Sequence, residues 1–82
     1  MKQGGLMKAY VLIQTEVGKA GQVADEIKKI GGVVSADNVT GVYDIIALVQ
    51  SDSVDELGKK VVKEIQLVQG ITRTLTCPIV NL

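Results

Sequence analysis

Two short runs, Ala9-Tyr-Val-Leu-Ile13 and Ile45-Ile-Ala-Leu-Val49, place apolar residues on both faces of any strand they form. Successive side chains of a strand point to opposite faces, so a run of this kind cannot leave either face in water. Both runs must therefore be interior strands, and the rest of the chain has to flank and cover them. The first, continued to Thr15, ends at a turn over residues 16–19. A helical stripe follows at Ala20, Val23, Ala24, Ile27 and Ile30, with Asp25, Lys28 and Lys29 opposite, and Gly31-Gly32 ends it. Residues 33–40 read as a strand whose polar positions, Ser35, Asp37, Asn38 and Thr40, suit a sheet edge.

A turn at Gly41 and Val42 leads into residues 43–50, which contain the second two-faced run. Ser53, three residues before Glu56, is a capping-box signature, and Val54, Leu57, Val61, Val62 and Ile65 form an apolar stripe behind it. Lys59, Lys60, Lys63 and Glu64 take the solvated side. The last segment, 71–80, is a strand in which Thr72, Thr74 and Thr76 share one face. Pro78 removes a ladder donor, which places this strand at the other edge or frays its end.

The order is β-α-β-β-α-β, two similar halves that predict an α+β ferredoxin-like sandwich: a four-stranded antiparallel sheet with two helices on one face. In that topology the first and third strands are central, and they are the two runs apolar on both faces. Two helices cover one face only. The open face predicts a second copy packed sheet against sheet about a two-fold axis, a dimeric α/β plait.

Nine basic and nine acidic residues cancel, so the chain lacks the electrostatic footprint of a nucleic-acid-binding domain. No apolar stretch approaches the ~18 residues of a membrane span, and the N-terminus lacks a signal-peptide layout, which together predict a cytoplasmic protein. With no histidine and one cysteine, neither a transition-metal site nor an internal disulfide is expected, and the commonest general base is missing. Cys77 reads as a small core hydrophobe. Residues 1–6 lack periodicity and form an N-terminal extension to a domain over 7–82; either Met7 is the natural start or the extension is natural.

Candidate chemistry concentrates in Gly41-Val-Tyr-Asp44. Asp44 is a carboxylate beside a buried strand and needs a partner to replace lost hydration. In a structural reading Gly41 supplies a positive φ, Asp44 satisfies turn amides and Tyr43 packs on the rim. In a functional reading the turn amides meet a carboxylate, Asp44 meets an ammonium and Tyr43 covers the side, the groups an α-amino acid requires. The threonines of the last strand fit a solvated or dimer-facing strand, and their hydroxyls can also bind a carboxylate. Asp25-Glu26 and Asp55-Glu56 are expected near helix starts, where the macrodipole favours them, and Gly18-Lys-Ala-Gly21 lacks phosphate-loop spacing.

From Met7 to Leu82 the chain resembles the effector-sensing RAM domain of the Lrp/AsnC transcriptional regulators. The likeness rests on Val39-Thr-Gly-Val-Tyr-Asp44 before an apolar strand, and on Val68-Gln-Gly-Ile-Thr-Arg-Thr-Leu-Thr76 in the final one. The resemblance implies homodimers joined through their sheets, assembly into octamers or other rings, and amino-acid effectors held between dimers. It implies a ligand loop of Gly41, Val42, Tyr43 and Asp44, with Thr74 and Thr76 nearby and Gln66 or Leu67 from a neighbouring subunit. The family's helix-turn-helix is not among these residues. The expectation is a stand-alone, non-catalytic sensing and oligomerisation module that needs no cofactor, does not bind DNA directly, and reaches transcription through full-length relatives or other partners. The competing readings are a cofactor-independent monooxygenase or isomerase on the same fold, with Asp44, Tyr10 and Tyr43 as its acid or base groups, and a purely structural oligomerisation unit.

Overall fold

The computed structural model describes residues 7–82, so the proposed extension over 1–6 lies outside the described residues. Four strands form one antiparallel sheet: β1 (Met7–Thr15), β2 (Val33–Asn38), β3 (Ile45–Ser51) and β4 (Ile71–Pro78), in the order β2-β3-β1-β4. The two runs apolar on both faces occupy the centre, as their pattern requires. Helix α1 (Ala20–Ile27) joins β1 to β2, and a second helix, α2, over residues 54–66 joins β3 to β4. This is the ferredoxin-like βαββαβ arrangement.

Alternation along the central strands divides the sheet cleanly. Ala9, Val11 and Ile13 of β1 and Ile45, Ala47 and Val49 of β3 are fully buried beneath the helices. Val23, Ala24 and Ile27 of α1 and Leu57, Val61 and Ile65 of α2 close over them, with Ala36 of β2. Burying each of the larger aliphatic side chains contributes about 1.5–3 kcal/mol, and this β-branched layer supplies the core that aromatics supply elsewhere. The opposite face, with Tyr10, Leu12, Ile46, Leu48 and Leu75, has no layer above it among the described residues; Tyr10 is 45% and Leu75 48% exposed.

The helices differ. α1 stops at Ile27, and Ile30 packs on the core from the turn that follows. Asp25-Glu26 thus falls in the last turns of α1, not near its start, because the helix begins at Ala20; Glu26 instead pairs with Lys29 at 3.2 Å. α2 opens with a single α turn, Val54–Glu56, capped by Ser53, whose Oγ accepts from the Glu56 amide at 3.1 Å. Only half of the expected capping box forms, since the Glu56 carboxylate turns to Lys60 at 3.1 Å. The helix then widens to π geometry over Leu57–Val62 before Lys63–Gln66 return to α. Its buried residues, 57, 61 and 65, recur strictly every four positions. In a 3.6-residue helix such a row drifts around the axis, and the wider turn brings it back over the sheet.

Two glycines relate the halves. Gly32 (φ +96°) precedes β2, and its carbonyl accepts from the Gln50 amide of β3 at 2.7 Å. Gly70 (φ +100°) precedes β4, and its carbonyl accepts from the Glu16 amide just beyond β1 at 2.8 Å. Each half thus closes on the first strand of the other. At Gly32 a Cβ would lie 2.6 Å from Val61 Cγ2 and 3.0 Å from the Gln50 carbonyl oxygen, so the position requires glycine for space as well as for φ.

Cys77 corrects its sequence reading. It is exposed, since register places it opposite Tyr10 on the open face of an edge strand, where none of the described residues covers it.

Candidate functional site

Three loops meet at one end of the sheet, where β1 ends and β3 and β4 begin: 16–19, 39–44 and 67–70. Tyr43 and Asp44, expected within the third strand, belong to the second of these loops, because β3 starts at Ile45. Gly41 has φ +130°, a value that supports its assignment as a turn glycine. The loop is then fastened to β1. The Asp44 amide donates to the Ile13 carbonyl at 2.8 Å, and the Asp44 carbonyl accepts from Val39 at 2.9 Å.

The Asp44 side chain completes the attachment. Its Oδ2 accepts from the Thr15 amide at 2.8 Å and from Thr15 Oγ1 at 3.3 Å, both partly buried. Its partner is the end of a neighbouring strand, and not the amides of its own turn. The lost hydration of this carboxylate is offset there, while its second oxygen has no hydrogen-bond partner among the described residues. Tyr43 is half-buried beside it, and the Val42 side chain is 76% exposed. Sequence reading missed two residues here: Thr15, and Gln14, whose Nε2 donates to the Val42 carbonyl at 2.8 Å. Neither carries a motif. The only available signal was the polar end that both give to an otherwise apolar strand.

The remaining candidates lie on the other side of β1. Gln66 Nε2 donates to Thr74 Oγ1 at 3.0 Å, joining the end of α2 to the start of β4. These two residues, with Ile71, Thr72 and Arg73, line a cleft of about 290 Å³. Thr74 lies opposite Ile13 and Thr76 opposite Val11, so the threonine row shares the helix-covered face and does not join the open sheet face. Leu67 projects from the loop and is 73% exposed.

The structure therefore forms two groups, Gly41 to Asp44 and Gln66 with Thr74. Ile13 stands between them, bonded to Asp44 on one side and paired with Thr74 on the other. Two strand spacings separate them, roughly 10 Å. Two further clefts, of about 530 and 300 Å³, lie toward the helices and take no lining residue from 41–44. Exposed apolar side chains crowd the same end: Val17 at 101%, Val42 at 76% and Leu67 at 73%. Among the described residues, no cluster of His, Cys, Asp and Glu could hold a metal ion, and no helix is long and apolar enough to cross a membrane.

Fold and loop define a ferredoxin-like domain with a turn-borne polar site at one end of its sheet. The sequence model of the Lrp/AsnC ligand binding domain matches residues 8–81, and the chain belongs to that family. It is 34% identical over 55 residues to an uncharacterised HTH-type transcriptional regulator of Pyrococcus furiosus, a match covering 67% of this chain and 37% of the relative. The chain thus spans little more than a third of the length of such curated relatives. Among solved structures, TTHA0845 of Thermus thermophilus is 30% identical and superposes with a TM-score of 0.84, covering 93% of this chain and 95% of that one. AsnC of E. coli, 21% identical, shares the fold with a TM-score of 0.83 over 93% of this chain and 52% of its own. The family model identifies the chain as a ligand-binding domain of the Lrp/AsnC type.

Proposed function

We propose that this domain is a non-catalytic amino-acid sensor whose binding site is completed by a neighbouring copy, and which influences transcription through partner proteins instead of contacting DNA itself. The observation that carries this reading is the crowded end of the sheet. Asp44 on one side of β1 and the Gln66–Thr74 pair on the other lie at that end with exposed Val17, Val42 and Leu67, apolar side chains that no described residue covers. A neighbouring copy seated on that end would cover the apolar residues and enclose the polar ones. Asp44 retains an oxygen for an ammonium, and the threonine and glutamine side chains offer donors to a carboxylate.

The open face of the sheet supports a second contact. Tyr10, Leu12, Ile46, Leu48 and Leu75 form an apolar surface of the kind a two-fold-related copy buries, and zero net charge sets no long-range repulsion against it. Dimers joined through their sheets and linked at the loop-bearing ends would generate a ring. A ligand held where copies meet stabilises the assembly by mass action. The balance of nine basic against nine acidic residues argues for action through partners such as full-length relatives.

The test is calorimetric titration with each of the common amino acids, paired with sedimentation velocity. Binding of at least one, accompanied by a shift in assembly and lost in Asp44→Asn, is the expected result. Silence across the whole set would remove the sensing role. A Leu48→Lys variant that sediments like the wild type would remove the sheet-to-sheet dimer.

A further inference from the structure

The loop that carries Asp44 is held by two consecutive residues of β1, and these two belong to different surroundings. Thr15 grips the carboxylate from within, through its partly buried amide and hydroxyl. Gln14 alternates with Leu12 and Tyr10 and therefore belongs to the open face, opposite Arg73 of β4. From there its Nε2 reaches the Val42 carbonyl at 2.8 Å, a bond that is solvent-exposed in the single chain. The β1–β4 register shifts between these same two residues, with Thr72 as the extra residue on β4, so the partner strand bulges beside the point where β1 makes its two attachments to the loop.

A solvent-exposed amide–carbonyl bond competes with water and holds a loop weakly. The same bond beneath a covering layer is freed from that competition, and leaving it unmade then strands a buried carbonyl. We infer that Gln14 is a positioning residue through which packing of a second copy on the open sheet face fixes the loop of residues 39–44. The inference rests on the proposed sheet-to-sheet dimer. It adds that dimerisation prepares the loop, and by reciprocity that a ligand ordering the loop tightens the dimer.

The experiment needs no ligand. Amide exchange of Val39 and Asp44, the two loop amides bonded to backbone carbonyls, is measured by NMR across a dilution series. Sedimentation equilibrium gives the dimer fraction at each point. In the wild type, protection of both amides should rise about five- to ten-fold from monomer to dimer, the scale of one hydrogen bond freed from competition with water. In Gln14→Leu, and in Gln14→Glu, which keeps the length but removes the donor at neutral pH, protection compared at equal dimer fraction should change less than about two-fold.

Protection that tracks dimerisation equally in the variants, or that ignores dimerisation in the wild type, overturns the role of Gln14 while leaving the dimer intact. A wild type that stays monomeric throughout overturns both, and sedimentation alone reveals it.

Discussion

Asp44 offers the sharpest test because one side chain is assigned both to the architecture and to the proposed ligand. Its Oδ2 accepts from the Thr15 amide at 2.8 Å and from Thr15 Oγ1 at 3.3 Å. Asp44→Ala leaves a partly buried amide without its acceptor. Hydrogen bonds to charged groups contribute about 1.5–3 kcal/mol, and the long hydroxyl contact adds little, so about 2 kcal/mol of stability should be lost. With an unfolding entropy near 2.1 cal/mol/K per residue, that corresponds to a fall in Tm of about 12 °C for a chain of this size. Asp44→Asn retains an acceptor for the Thr15 amide and should cost less than about 1 kcal/mol, while removing the charge that an ammonium requires. Urea unfolding followed by far-UV circular dichroism, at one fixed protein concentration because assembly shifts the midpoint, separates the cases. If Asn destabilises as much as Ala, the charge itself holds the loop. If Ala leaves the midpoint unchanged, the contact with Thr15 contributes nothing and the structural assignment fails.

Other expectations follow from single positions. Gly32→Ala combines a positive φ with a Cβ 2.6 Å from Val61 Cγ2. It should cost about 2–4 kcal/mol in denaturant unfolding, and Val61→Ala in the same chain should recover part of the steric loss. Ser53→Ala removes the acceptor for the Glu56 amide and should cost about 1 kcal/mol, visible as a lower urea midpoint. Gly58 is exposed within α2 with nothing within 4 Å of a new Cβ. Gly58→Ala should therefore raise stability by about 0.5–1 kcal/mol in the same assay.

The fold was legible because its strongest constraint is local. A run apolar on both faces can only be interior, and the two such runs became β1 and β3 with their flanking edges as expected. The π segment was not legible, since backbone pairing leaves no mark on side-chain chemistry beyond the four-residue spacing of Leu57, Val61 and Ile65. Gly41 to Asp44 stood out because an acid abuts an apolar run. Its anchors, Gln14 and Thr15, lie 28 and 29 residues from the groups they bind, and no periodicity connects them. Cys77 was misplaced for a related reason: its apolar neighbourhood suggested a core, and the described residues cover one side of the sheet only.

The crossed glycine contacts bear on how the domain is made. The end of β1 waits for Gly70 and for β4, both from the final stretch of the domain, while Gly32 waits for β3. Neither half can close alone, and a central strand apolar on both faces is synthesised first and paired on its β4 side last. During translation β1 must remain unpartnered at that edge until nearly the whole domain has left the ribosome, which makes folding a late, all-or-none event dominated by long-range pairing. The short polar close of β1 at Gln14 and Thr15, needed later to hold the loop, also interrupts its apolar run during that interval.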